Sequence, residues 1–219
     1  MKDNLSVQYR LRFEKNIKYR YDVWKILVSD FFLKYIPENS ALLDLGCGYG
    51  FFINNIKSAR KYGMDLNSEV KNHLNENVDF INQDCSEKWK MEDNTLDIVF
   101  TSNFLEHLSD KHCLEKTIFE IKRCLKPEGK IIILCPNIKY LNGLFWDFWD
   151  HHIPVTENSI SELLKINDFK INICIPKFLP FRMSNNKKQP AILIKLYLKI
   201  PFLWRIFGKQ FLIVATNKK

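Results

Sequence analysis

The chain has 219 residues, of which 46% are hydrophobic and 26% charged. Such a chain suits one globular domain with a proper core and excludes a disordered or fibrous one. No uninterrupted apolar run reaches the ~18 residues of a membrane span, and no leader-like segment opens the chain, so neither a spanning helix nor a signal peptide is expected. The six cysteines (Cys47, Cys85, Cys113, Cys124, Cys135, Cys174) form no CxxC pair, which excludes a zinc ribbon or redox motif and points to free thiols in a reducing cytoplasm. The net charge of +8 is local: after Asp168 there is no Asp or Glu but there are eleven Lys and Arg, so the chain up to Asp168 is net acidic. Such asymmetry hints at an anionic partner.

In chain order, residues 8–36 carry apolar positions at helical spacing and end before Pro37, a helical extension over 1–37. ALLDLG (41–46) is a short apolar run stopped by glycine, hence a strand, and GFFINNI (50–56) reads as a helix. ARKYGMDL (59–66) and VDFINQD (78–84) read as strands that each end on an acid, with a short helix at SEVKNHL (68–74) between them. LDIVFTS (96–102) is a strand, LEKTIFEIKRCLKP (114–127) an amphipathic helix stopped by proline, and GKIIILCPN (129–137) a buried strand. TENSISELLKIN (156–167) is a helix opened by Thr156 as N-cap, and FKINICIP (169–176) and FLIVATN (211–217) are the last strands. Strands and helices alternating at this pitch predict one α/β domain, a parallel sheet with helices on both faces.

Three of the seven glycines, Gly46, Gly48 and Gly50, fall in LDLGCGYGFF (43–52). A strand running into GxGxG lets a ligand approach the main chain closely. Taken alone it also suits a plain tight turn. Asp65, at the end of the next strand, is placed to accept both hydroxyls of a ribose, and Asp84 ends the third. A dinucleotide fold wants GxGxxG for its pyrophosphate. Here Asp44 precedes the first glycine by two residues, a poor neighbour for phosphate and a good one for an ammonium. That combination suits S-adenosylmethionine, an adenosine without phosphate and with a methionine ammonium.

LDLGCGYG, GMDLN, NQDCSE, LDIVFTSNFLEHLSD and LKPEGKIIILCPN, in this order over about residues 40–137, resemble the class I S-adenosylmethionine-dependent methyltransferases. The resemblance implies a single Rossmann-like, doubly wound sheet of seven strands over 1–219, the last strand (FLIVATN) antiparallel. The cofactor core would be 40–137 and the acceptor side 138–219. It implies that Gly46 and Gly48 meet the methionine part of the cofactor, with Asp44 on its ammonium directly or through water, and that Cys47 between the glycines is a further cofactor contact. Asp65 would hold the ribose, Met64 would pack against the adenine, Leu66 would be a further cofactor contact, and Asp84 with the Cys85 backbone would read the adenine amino edge. Asn103 would face the methionine end, and the product would be S-adenosylhomocysteine.

Methyl transfer is an in-line displacement that the cofactor activates; the protein supplies position and desolvation. A hydroxyl acceptor benefits from a base, so the candidate catalytic residues are His107 in NFLEHLSD and His151 and His152 in WDFWDHHIPVT, where Asp150 is placed to orient one of the pair. Glu106-His107 also reads as a structural turn, and the pair as loop residues capping the next helix. The aromatics Tyr140, Phe145, Trp146, Phe148 and Trp149 suit an acceptor pocket or a hydrophobic plug. No carboxylate–histidine cluster with ligand spacing is visible, so no metal is expected.

Between the last two strands lies an unusually long stretch, 177–209, with a polar patch SNNKKQ (184–189). On a helix, Lys188, Lys195 and Lys199 share one face and the rest is apolar, with Pro201 as a break and Gly208 as an end. The segment reads as a packed cap, a dimer contact or a peripheral membrane surface. The basic residues interleave with Ile, Leu and Phe rather than forming a separate polar face, which argues against nucleic acid. The expected acceptor is a small molecule or a glycan or lipid-linked intermediate, by O-methylation, with N-methylation of an amine or a non-catalytic binding role as alternatives. The tail also resembles methyltransferases of bacterial surface-polysaccharide gene sets.

Overall fold

The computed structural model describes residues 2–181 and 188–219. Arg182, Lys187 and most of the SNNKKQ patch lie outside the described residues. In order, the elements are α1 (Lys2–Phe13), α2 (Ile17–Asp30), β1 (Ala41–Leu45), β2 (Arg60–Met64), β3 (Asp79–Ile81), β4 (Leu96–Ser102), α3 (Lys111–Cys124), β5 (Leu125–Pro136), α4 (Glu157–Ile166), β6 (Phe169–Leu179), α5 (Ala191–Lys199), α6 (Pro201–Phe207) and β7 (Gln210–Asn217). The seven strands form one Rossmann-like mixed sheet in the order β3-β2-β1-β4-β5-β7-β6. As expected, β7 is the antiparallel strand, pairing with both β5 and β6 in that sense.

Two compact units divide the chain, residues 2–84 with 188–201, and residues 85–181 with 202–219. In the first, β1 pairs parallel to β2 and β2 parallel to β3, with Asp44 opposite Gly63 and Leu45 opposite Met64. Leu42, Leu43 and Leu45 are fully buried, each contributing about 2 kcal/mol by leaving water. Helix α2 docks through Trp24, which stacks on Phe32 and meets Phe52 edge-on. Helix α5 packs on α2, burying Leu198.

The expected helix over 50–56 is instead a run of turns, closed by bonds from Gly50 N to Cys47 O, Asn54 N to Gly50 O and Asn55 N to Phe52 O. Gly50 starts it at φ +70°, and the Asn54 side chain is spent on the main chain of His73 and Asn75. Local side-chain bonding of this kind competes with a helix. The expected helix over 68–74 is a 3-10 segment, Ser68–His73, capped by Asn67.

In the second unit β4 and β5 run parallel, with an irregularity between Leu96 and Ile98. Helix α3 stops at Cys124, before the proline expected to end it, and Pro127 lies within β5. Asp110 caps α3 and Thr156 caps α4, the latter in a reciprocal box with Ser159, so neither of the histidines before α4 is its cap.

Candidate active site

In the first unit the loop after β1 is a main-chain device. Gly46, Gly48 and Gly50 all have φ between +50° and +70°, a region that strains other residues. Gly46 N and Cys47 N both donate to Met64 O, at 2.9 and 3.1 Å, clamping the loop to the end of β2. The Asp65 carboxylate then collects main-chain donors: Gly48 N at 3.0 Å on one oxygen and Asn67 N at 2.9 Å on the other. Asp44 is 3% exposed. Burial, together with the charge of Asp65, holds its carboxyl well above the usual carboxylate range, against a bond from the Ile53 backbone.

The N-terminal helix completes this end of the unit. The Tyr9 hydroxyl reaches both Asp65 oxygens, at 3.1 and 3.0 Å, and Ser6 Oγ donates to Asn67 Oδ1 at 3.0 Å. Phe13 packs edge-on to Tyr9 and Phe51 and meets Tyr49, while a Cβ at Gly48 would touch only the Phe13 ring, at 3.8 Å. Burial and Asp65 raise the Tyr9 phenol pKa, so Tyr9 is a donor here. No spacing in the chain ties Tyr9 to Asp65; only the folded helix does.

In the second unit the ends of β4 and β5 gather acids and imidazoles. Asn103 follows β4 at φ +49°, its N–H on Leu134 O at 2.8 Å. Next come Glu106, 1% exposed, and half-buried His107. The Glu106 carbonyl accepts the N–H groups of His152 (2.8 Å) and Ile153 (3.2 Å), which brings the loop after β5 to this turn. His107 Nδ1 lies 3.0 Å from Asp150 O and 3.1 Å from Asp150 Oδ2. The buried His151 ring stacks on Phe148 and lies 4.8 Å from the His107 ring, centre to centre. Cys135, at the end of β5, donates its S–H to Glu106 Oε2 at 3.1 Å, and burial followed by the Glu106 charge holds it as a thiol.

A methyltransferase-domain family model matches residues 43–133. The crystal structure of a SAM-dependent methyltransferase from Archaeoglobus fulgidus superposes with a TM-score of 0.65 at 25% identity, over 93% of this chain and 96% of that one. The chain is an S-adenosylmethionine-dependent methyltransferase. An uncharacterized protein of Methanocaldococcus jannaschii is 29% identical over 81% of the methyltransferase and 73% of its own length. Phosphoethanolamine N-methyltransferase 1 of Triticum aestivum is 33% identical over 42% of this chain, a match that spans 20% of that larger protein.

The methyltransferase's residues fit its cofactor. The contact that Tyr9 makes with Asp65 is the one a ribose hydroxyl would make, and the main-chain N–H groups of Gly48 and Asn67 fix that carboxylate in place. An ammonium beside Asp44 would relieve the cost of its buried charge. When bound, the cofactor supplies the sulfonium-activated methyl group; the chain's own residues bind, orient and exclude water.

Of the residues expected at the cofactor, Asp44, Gly46, Cys47, Gly48, Met64 and Asp65 come together in the first unit. Met64 is fully buried in the core, Leu66 is half exposed, and Asp84 is half-buried just beyond β3. Cys85 and Asn103 belong to the second unit, where the Cys85 thiol faces Thr117 at 3.4 Å. Among the catalytic candidates, His107 and His151 meet, whereas the His152 side chain is exposed. Asp150 reaches His107, because the loop folds back onto Glu106. The aromatic run divides: Phe145 is buried against His151, while Trp146 and Trp149 are exposed.

Proposed function

We propose that the methyltransferase transfers its methyl group to an oxygen, a hydroxyl of a small molecule or of a glycan or lipid-linked intermediate. The observation that carries this reading is the group of Glu106, His107, Asp150 and His151. A hydroxyl must shed its proton as the C–O bond forms, and here the chain concentrates groups able to promote that step, with Asp150 fixing Nδ1 of His107. His107 and His151 activate the acceptor oxygen in this reading. The test is turnover on nucleotide-sugars and lipid-linked sugars. His107→Ala should lower it by roughly 10²–10⁴-fold while calorimetric affinity for the cofactor stays within twofold. Undiminished turnover in that variant would favour the second reading, an amine acceptor, which the Triticum aestivum relative's name suggests.

Two features support an acceptor presented at an anionic lipid surface. On α5, Ile192 and Leu196 are exposed on the same face as Lys195 and Lys199. Phe202, Ile206 and Phe207 of α6, and Trp146 and Trp149, are exposed as well. Apolar side chains among cations suit the headgroup boundary of a bilayer. Among the described residues no helix is long and apolar enough to cross a membrane. Co-sedimentation with vesicles of neutral and of anionic lipid tests this: capture by anionic vesicles alone, weakened by salt, is the expected result, and no capture by either sinks it.

A further inference from the structure

We propose that Glu106, His107 and His151 bind a divalent transition-metal cation. Their ligand atoms all lie within 4.8 Å of one another. Two ligands of one tetrahedral zinc ion, at about 2.0–2.2 Å from it, stand ~3.3–3.6 Å apart, so the widest pair must close by roughly 1.2–1.5 Å, a movement that side-chain rotation supplies. Two imidazoles and one carboxylate are the donors of several catalytic zinc sites, which keep a fourth position open for water or substrate.

The surroundings of the three residues match what an ion requires. A metal-bound imidazole hands its other N–H to a carboxylate or carbonyl, which fixes the tautomer. His107 Nδ1 sits 3.1 Å from Asp150 Oδ2 and 3.0 Å from Asp150 O. That contact leaves the lone pair on Nε2, and Nε2 lies 4.0 Å from Glu106 Oε1. This separation is too long for a hydrogen bond and within about half an ångström of the spacing of two ligands on one tetrahedral ion. The second Glu106 oxygen, Oε2, is oriented by the Cys135 S–H at 3.1 Å. The ring of His151 is gripped between Phe145 and Phe148, with centres at 4.5 and 4.7 Å, so its direction is set before any ion arrives.

Ion binding stands on this geometry alone; its role in catalysis rests on the oxygen-acceptor reading. A coordinated hydroxyl loses its proton to solvent near neutral pH. The oxygen then forms the bond to the methyl carbon as the carbon–sulfur bond breaks, and that bond's electron pair stays on sulfur, turning the sulfonium into a neutral thioether. No oxidant or reductant is involved.

The experiment uses the full chain, stripped with a chelator and titrated with Zn²⁺ by calorimetry and with Mn²⁺ by electron paramagnetic resonance. One ion per chain is expected. Glu106→Gln, which keeps the side-chain shape, and His151→Ala should each weaken Zn²⁺ binding at least tenfold, and His152→Ala should leave it unchanged. No binding overturns the proposal. So does binding that persists undiminished in Glu106→Gln, which would belong to groups such as His73 or His112 and Cys113. Methylation of a hydroxyl that needs His107 but no metal would overturn the ion and leave the oxygen-acceptor reading standing. A bound ion in an enzyme that methylates only amines would do the reverse.

Discussion

The loop after β1 and the loop after β5 solve similar problems with different parts of the chain. The first holds a shape with its backbone: three glycines at positive φ, two N–H groups on Met64 O, and Asp65 bonded to main-chain donors. The second holds side chains: Asp150 on His107, Cys135 on Glu106, His151 between two phenylalanines. A backbone device is intolerant of added atoms but indifferent to most neighbours. A side-chain device tolerates changes of backbone but depends on each partner.

Matched glycines give the sharpest contrast. At Gly50, φ is +70° and a Cβ would stand 2.7 Å from Leu74 and 2.8 Å from Asn54. At Gly143, in the second loop, φ is +86° and nothing lies within 4 Å. Gly50→Ala should destabilise by about 2–4 kcal/mol, strain plus crowding, and Gly143→Ala by only about 1 kcal/mol. Thermal unfolding of both variants checks this, and equal losses would break the comparison. Next in size is Asp65→Ala, which removes the acceptor for two main-chain donors and for a ribose. Cofactor affinity should fall by roughly 1–3 kcal/mol in calorimetry, whereas Glu106→Gln should leave it unchanged.

Asp44→Asn should act in two directions, weakening the cofactor while stabilising the fold by roughly 1 kcal/mol. The sign follows from the raised carboxyl pKa. A group whose folded pKa lies above its unfolded value stabilises fully below the unfolded value, and that contribution is lost as pH rises through the folded one. Wild type should therefore lose stability with rising pH across that window, and Asp44→Asn should lose less; parallel curves would show that Asp44 is solvated after all. The smallest effect is expected of Tyr9→Phe, which frees Asp65 of a resident hydroxyl. Cofactor binding should tighten by about 1 kcal/mol or less, and a weaker complex would mean that Tyr9 contacts the cofactor directly.

What could be read from the chain follows the same division. Glycine spacing and the acids at strand ends are local in sequence, and they singled out Asp44, Gly48 and Asp65, whereas the antiparallel FLIVATN was implied by the family resemblance. The helix expected at 50–56 failed because Asn54 bonds to His73 and Asn75, partners that its own periodicity does not reveal. The Asp150–His107 contact spans 43 residues and depends on the turn at Glu106, so neighbouring positions in the chain do not reveal it. The Tyr9–Asp65 contact joins a helix and a strand end with no shared pattern.

That contact has a kinetic consequence. A ribose bound to Asp65 as proposed would compete with the Tyr9 hydroxyl for both carboxylate oxygens. The observed association rate is then the rate for the open form multiplied by its population. Helix α1 would keep its other holds, Ser6 on Asn67 and Phe13 against Tyr49 and Phe51, so the competition would slow cofactor entry without releasing the helix.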